Sequence, residues 1–98
     1  AVDMVVIPGS EGFFGVLPRH AATLASLQRG RVDIYNNGSI TRRFFIDGGV
    51  ADVLPERVII LAERAVDLDA VSVQQLEEQA VNATQSEISF VNAVKDAI

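Results

Sequence analysis

Cysteine is absent from this chain, so neither a disulfide framework nor a thiolate metal site can hold it together. Lysine occurs only as Lys95 and histidine only as His20. No apolar run approaches the roughly 18 residues that mark a membrane-spanning helix. The formal net charge of -5 argues against a nucleic-acid-binding surface, because such surfaces are basic.

The chain is rich in apolar residues, which make up 49% of its 98 positions, and this is enough for one modest core. Its charges are unevenly distributed. Residues 1–66 contain seven arginines and seven acids, whereas residues 67–98 contain six acids and one lysine. We therefore expect a β-rich domain over residues 1–68 and a separate acidic, helical C-terminal domain over residues 69–98.

Short β-branched segments separated by turns indicate antiparallel strands in the first domain. Asn37-Gly38 is typical of a two-residue type I′ hairpin, in which both positions need a positive φ. Pro55-Glu56 marks a second turn. The fold class that we expect is a β-sandwich of short antiparallel strands followed by a C-terminal α-helical segment.

For two strands, the sequence also predicts which residues face the core. In the strand after Asn37-Gly38, alternate residues should face the core, and these are Ile40, Arg42, Phe44 and Ile46, with Arg42 the misfit. The segment VIIL at 58–61 is apolar on both faces, which predicts a strand buried inside the sandwich.

The period changes after Asp69, where a segment rich in Gln, Glu and Ala predicts helix. Ser72 and Gln75 form a capping box, and Thr84 with Glu87 forms a second candidate. One helix could run through the segment, or two short helices could fold back as a hairpin. A break near 82–85 favours the hairpin, because both apolar stripes can then be buried.

The segment PGSEGFFGVLPRH at 8–20 has three evenly spaced glycines, and it matches no phosphate-binding motif. We interpret Gly9, Gly12 and Gly15 as turn residues with positive φ. Phe13 and Phe14 point in opposite directions if the chain is extended, so one can lie outward as a protein contact, although both rings could also fold under the loop. His20 has no nucleophile or ligand set beside it, so no catalytic residue and no metal site is predicted.

The order of these segments resembles the epsilon subunit of rotary ATP synthases, which is called delta in mitochondria. The stretch VVIPGSEGFFGVLPRHAATLASLQRGRV is similar to the family signature of glycines, Leu-Pro and His-Ala, and FFIDGGVADVLPERVIILAERAVDLD is similar to its Gly-Gly and Leu-Ala segment. The resemblance covers residues 2–69. In the family, an additional strand and turn precede the position of Val2, so we expect either a fragment or a chain without that strand.

The resemblance implies a non-catalytic rotor subunit without cofactors. Such a subunit binds the gamma shaft and the ring of membrane-embedded subunits, and its helices can reach the alpha/beta catalytic head. The implied location is peripheral, on the cytoplasmic face of the bacterial inner membrane or the matrix side in a mitochondrion. Because the tail is acidic, we expect little inhibition of ATP hydrolysis by these helices.

The resemblance also implies contacts for individual residues. Those matched to the ring interface are Glu11, Phe13, Phe14, Leu17 and Arg19. Those matched to the gamma interface are His20 and Ala22. Phe13 departs from the family's frequent acid, which predicts an apolar contact with the ring, and Arg19 stands where glycine is frequent.

An alternative is an ATP-binding regulatory module, because some bacterial relatives bind ATP on the helical hairpin. Leu68 and Asp69 match the start of that motif, whereas Ser72 stands where the motif has arginine. A single lysine in the tail leaves few charges for a triphosphate. We therefore predict that no ATP is bound.

Overall fold

The computed structural model describes residues 2–17, 19 and 21–98. These residues form eight β-strands and then two α-helices. The strands are β1 (Met4–Gly9), β2 (Gly12–Val16), β3 (Thr23–Leu27), β4 (Gly30–Asn36), β5 (Ser39–Ile46), β6 (Gly49–Leu54), β7 (Arg57–Ala62) and β8 (Ala65–Asp67). The helices are α1 (Val73–Ala80) and α2 (Gln85–Ala97).

All the strand pairs are antiparallel, and the strands run in the order β7-β6-β3-β1-β4-β5-β8, with β2 paired to β1. The sheet curls so that its two halves enclose one apolar core. The buried members of this core are Val5, Ile7, Val16, Leu27, Val32, Ile46, Ala51 and Val53. The expected antiparallel β-sandwich is confirmed.

Both predicted hairpin turns form. Asn37 and Gly38 have φ values of 54° and 79°, as a type I′ turn requires, and they join β4 to β5. Pro55 and Glu56 join β6 to β7, with Leu54 opposite Arg57.

The helical segment breaks where the polar sequence predicted. Ser72 caps α1 with the full capping box, in which the Gln75 backbone N–H donates to the Ser72 hydroxyl and the Ser72 N–H donates to the Gln75 side chain. Asn82 adopts a φ of 58° in the connection, a conformation common after a helix end. The predicted pair of helices is confirmed, and α1 and α2 contact each other.

The second capping box forms only in part. The Thr84 hydroxyl accepts from the Glu87 N–H, but the Glu87 carboxylate is paired with Arg64 of the sandwich. The Glu87 carboxylate, which would complete the capping box, therefore connects α2 to Arg64 between β7 and β8 instead.

A second apolar core joins the helices to the sheet, and its buried members are Phe45, Leu68, Leu76, Phe90, Val91 and Val94. This core corrects the expectation for β5. Phe44 and Ile46 face the sandwich core as predicted, but Ile40 is exposed, and Phe45 on the opposite face is buried under the helices. The C-terminal half of β5 is covered on both faces because α2 packs against its outer side, whereas residues 39–42 are exposed.

The expectation for VIIL is wrong. Among the strands of the described residues, β7 lies at the end of the strand order, and its residues alternate between exposed and half-buried. Val58 and Ile60 pack on the core, whereas Ile59 and Leu61 lie on the outer face. An edge strand with one solvated face can be apolar on both faces, so composition alone did not reveal its position.

Among the described residues, no helix is both long and apolar enough to cross a bilayer.

Candidate partner-binding surface

The segment singled out from the sequence forms a β-hairpin. Strands β1 and β2 pair from Val5–Val16 to Gly9–Gly12, and Ser10 and Glu11 make the turn. Glu11 is exposed at the tip. The tip is held against β3, because the Ser10 N–H donates to the Ser26 carbonyl at 3.0 Å.

Only one of the three glycines is a turn residue with positive φ. Gly12 has a φ of 124°, whereas Gly9 and Gly15 do not have positive φ. A Cβ on Gly9 would lie 2.7 Å from Cε1 of Phe14, and one on Gly15 would lie 3.0 Å from Sδ of Met4. The interpretation of Gly9 and Gly15 as turn residues is therefore wrong. At Gly9 the Phe14 ring and the Gly12 carbonyl oxygen leave no room for a Cβ, whereas at Gly15 the flexible Met4 side chain would have to shift.

The two phenylalanines lie on opposite faces of β2. Phe14 packs against the sandwich core, and Phe13 is 63% exposed. Because β2 is hydrogen-bonded to β1, the Phe13 ring projects from a regular ladder rather than from a loose loop. An exposed aromatic ring on an ordered strand is typical of a protein contact.

Leu17 and Arg19 lie at the other end of β2. Leu17 is exposed, and the Arg19 N–H donates to the Pro55 carbonyl at 3.0 Å. Arg19 adopts a φ of 63°, a left-handed conformation in which glycine is unstrained. This backbone geometry explains why a glycine would suit the position. Both residues line a surface pocket of about 290 Å³ beside the β6–β7 turn.

The residues matched to the ring do not form one compact cluster. Glu11 and Leu17 lie at opposite ends of β2, roughly 20 Å apart at the usual rise per strand residue. Phe13 lies nearer the Glu11 end. The hairpin therefore presents two separate surfaces, the tip with Phe13 and the base with Leu17 and Arg19.

Of the two residues matched to gamma, Ala22 is exposed just before β3. His20 lies outside the described residues, as do Ala1 and Pro18. The nearby Thr23 hydroxyl donates to the Ala21 carbonyl at 3.1 Å.

Sequence reasoning missed Leu24, which is 74% exposed beside Ala22. On the outer face, Leu24 shares a cross-strand row with Ile59, and Leu61 lies in the next row. The sequence contained a signal for this exposure. Leu24 and Leu27 are three positions apart, so in a strand they lie on opposite faces and one of them must face outward. Only Leu27 is in the core.

The remnant of the ATP motif has structural roles. Leu68 is buried in the second core, and Asp69 accepts hydrogen bonds from the Arg43 guanidinium at 3.0 and 3.1 Å. These bonds hold the pKa of the Asp69 carboxyl below its usual value. Ser72 is the helix cap described above. A neighbouring cavity of about 560 Å³ has Asp67 and Glu78 in its wall and no basic residue, which does not suit a triphosphate.

The helices are held to the sandwich by a charged cluster around Phe90. Glu87 accepts from both terminal nitrogens of Arg64, one at 2.9 Å, and this pairing lowers the pKa of the Glu87 carboxyl. The Arg64 guanidinium lies 4.1 Å from the centroid of the Phe90 ring. Arg29 lies 5.6 Å from the same centroid and pairs with Asp47.

In the part of the chain that the structure describes, no group of three or more acidic or histidine side chains is placed to hold a metal ion. These residues form a β-sandwich with an attached pair of helices.

The comparisons with known proteins identify the family. The model for the family described as "ATP synthase, Delta/Epsilon chain, beta-sandwich domain" matches residues 1–68. The ATP synthase epsilon chain of Rhodospirillum rubrum is 35% identical over 108 aligned positions, which cover 99% of this chain and 81% of that one. The chain therefore belongs to the delta/epsilon family of ATP synthase chains.

Solved structures share the fold. One is a chain from the mitochondrial ATP synthase of Euglena gracilis in an OSCP/F1/c-ring structure, with a TM-score of 0.63 and 22% identity over 95% of this chain and 63% of that one. Another comes from the central stalk and c-ring structure of the Tetrahymena thermophila mitochondrial ATP synthase, with a TM-score of 0.62 and 17% identity over 98% of this chain and 81% of that one.

Proposed function

We propose that this chain is a non-catalytic rotor subunit of the central stalk of ATP synthase. It binds the gamma shaft and the membrane ring and so helps couple proton flow to ATP synthesis. It lies peripherally, on the cytoplasmic face of the bacterial inner membrane or on the matrix side in a mitochondrion. Family membership supports the assembly, and the fold shared with a chain of the Tetrahymena thermophila central stalk and c-ring supports the place within it.

The observation that carries this proposal is the exposed Phe13 ring on the β1–β2 hairpin. Burial of an aromatic ring contributes strongly to binding when the ring needs little ordering beforehand. Phe13 meets this condition, because five residue pairs of the ladder fix the strand that carries it. The ring therefore serves as an apolar anchor on the polar loops of the membrane ring, with Glu11 beside it as a polar contact.

The start of β3, beyond the base of the hairpin, serves the gamma subunit. Ala22 is exposed and small, so a shaft helix can approach the backbone closely there. Leu24 adds exposed apolar area next to it. The hairpin, with Leu17 and Arg19 at its base, thus serves the ring, whereas Ala22 and Leu24 serve gamma.

Copurification tests the function. The chain is expressed with its cognate gamma subunit and, separately, with the detergent-solubilised membrane ring and gamma together. We expect a stable complex in both cases. Failure to bind gamma would refute the function itself.

Two substitutions test the surfaces separately. Phe13→Ala should weaken binding to the ring about 10- to 100-fold, the range for a central aromatic contact, without weakening binding to gamma alone. Ala22→Arg should weaken binding to gamma without weakening binding to the ring. Ile40→Ala, at the exposed far hairpin, is the matched control and should change neither affinity. If Phe13→Ala behaves like Ile40→Ala, the ring contact lies elsewhere on the chain.

A further inference from the structure

The β4–β5 turn joins a reactive side chain to an unhindered backbone nitrogen. Asparagine is a thermolabile residue, and the following backbone nitrogen reaches its carboxamide most readily when that next residue is glycine, which has no Cβ to block the approach. Of the four asparagines in the chain, only Asn37 is followed by glycine. The space around Gly38 is open, because even an added Cβ would meet no atom of the described residues within 4 Å.

The turn leaves both reacting groups outside the hydrogen bonds of the hairpin. Asn36 and Ser39 form the pair that closes it, so the Gly38 N–H lies outside the β4–β5 ladder. The Asn37 backbone N–H donates to Oδ2 of Asp3 at 2.6 Å, whereas the Asn37 carboxamide has no hydrogen-bond partner among the described residues. The carboxamide can therefore rotate towards the Gly38 nitrogen without breaking a side-chain hydrogen bond.

A bulge separates the end of this hairpin from the rest of the sheet. The register shifts between Ile34 and Tyr35, where Thr41 is the extra residue on β5. Only two residue pairs lie between this bulge and the turn, and such a short end opens at a lower free energy than the whole sheet. Ring closure through the Asn37 Cα–C bond needs a backbone conformation different from the type I′ turn, so the reaction proceeds while this end is open.

We propose that Asn37 is a site of spontaneous deamidation, which converts it to aspartate or isoaspartate within the folded chain. The Gly38 nitrogen forms a bond to Cγ of Asn37, the Cγ–Nδ2 bond breaks, and ammonia leaves with the proton lost from the Gly38 N–H. The product of this step is a cyclic imide. The modification does not depend on the function proposed above, because the atoms that react belong to Asn37 and Gly38.

Water then opens the imide at one of two bonds. Cleavage between Cγ and the Gly38 nitrogen gives aspartate. Cleavage between the backbone carbonyl carbon of residue 37 and the Gly38 nitrogen gives isoaspartate, in which the main chain runs through Cβ and Cγ. In both cases the carbon gains the hydroxyl of water and the Gly38 nitrogen regains a proton.

Both products disturb the end of the hairpin. Isoaspartate adds Cβ to the main chain, which the two-residue type I′ turn does not accommodate. Either product places a carboxylate at residue 37 beside Asp3, and the two like charges repel each other. Because the bulge isolates this end, we expect residues 35–40 to open while residues 44–46 stay paired with β4.

Peptide mapping of the whole folded chain tests the modification. The chain is incubated for several weeks at mildly alkaline pH and physiological temperature, and cleavage after arginine then releases residues 32–42. Mass spectrometry measures conversion of the carboxamide, and an isoaspartate methyltransferase labels the isoaspartate. Conversion at Asn37 should be at least about tenfold faster than at Asn82, an exposed residue with a φ of 58° that is followed by alanine. Equal rates at both residues, or an unchanged Asn37, would overturn the proposal.

Asn37→Gln is the matched control for the chemistry. It keeps a carboxamide, but the longer side chain has to close a six-membered ring and yields no isoaspartate. The isoaspartate label on residues 32–42 should therefore disappear in this variant. A label that persists would place the reaction at another residue and contradict the assignment.

Amide hydrogen exchange tests the effect on the hairpin. The isoaspartate form, separated by ion exchange, should exchange about tenfold or more faster than the untreated chain at residues 35–40, with no change at residues 44–46. Freshly prepared Asn37→Asp carries the new charge without the longer main chain, so its effect at residues 35–40 should be smaller. Unchanged exchange at residues 35–40, or lost protection along the whole of β5, would refute the local opening.

Discussion

The ring of Phe90 meets the ring of Phe45 edge-on, with centroids 5.8 Å apart and planes inclined at 68°. This contact joins α2 to the outer face of β5. It lies inside the second core and beneath the guanidinium of Arg64. The helices and the sandwich therefore share one apolar cluster, and the Arg64 guanidinium lies over it.

Phe90→Ala should lower the free energy of unfolding by about 3–5 kcal/mol, because a fully buried aromatic ring is lost and a cavity remains. Urea denaturation followed by circular dichroism measures the change. Phe13→Ala removes the same ring from an exposed site, and there the change should stay within about 0.5 kcal/mol. Similar losses for the two variants would mean that Phe90 does not hold the helices.

Stability should fall in acid because of Glu87. Its pKa is lowered in the folded chain by hydrogen bonds from Arg64, so its contribution is complete above the unfolded value of about 4.3. The contribution is then lost as pH falls through the folded pKa. Thermal unfolding of the wild-type chain and of Glu87→Gln between pH 7 and pH 2 measures this. The Tm difference between them should be largest near neutrality and should shrink in acid, whereas a constant difference would contradict the ion-pair role.

Arg19→Gly should stabilise the chain by about 0.5–1 kcal/mol. Relief from the left-handed conformation outweighs the greater entropy of glycine in the unfolded chain. The denaturation midpoint in urea measures the gain. Arg57→Gly, within β7, is the matched comparison and should destabilise, since its backbone is extended. A loss of stability in Arg19→Gly would show that the arginine side chain matters more than its φ.

Gly9→Ala should destabilise by about 1–3 kcal/mol, because its Cβ would overlap the Phe14 ring and the Gly12 carbonyl oxygen at 2.9 Å. The backbone at Gly9 is not left-handed, so the cost arises from packing. The double variant Gly9→Ala with Phe14→Ala should therefore cost less than the sum of the single changes. Additivity in this cycle, measured by urea denaturation, would rule out the contact as the cause.

ATP should not bind to this chain. The position of the motif arginine is Ser72, whose hydroxyl caps α1, and the cavity beside it is acidic. Calorimetric titration with millimolar ATP should give no heat above dilution. Saturable heat that is abolished by Asp69→Ala would overturn this expectation and support an ATP-binding regulatory module.

Local sequence features determined much of the fold. Asn37-Gly38 and Pro55-Glu56 specify turns through their own backbone preferences, and the Ser72–Gln75 capping box fixes the start of α1. The opposite directions of Phe13 and Phe14 follow from strand geometry. Each of these features depends on residues close together in the chain, which is why the sequence revealed them.

Tertiary packing decided the rest. Whether β7 was central or at an edge depended on strand order, which its apolar composition does not encode. Phe45 is buried only because α2 returns to cover it, and Glu87 pairs with Arg64 from 23 residues away. Gly9 and Gly15 resembled turn residues, although their role depends on which side chains cross the backbone. These outcomes arise from contacts between distant segments, so only the folded structure could show them.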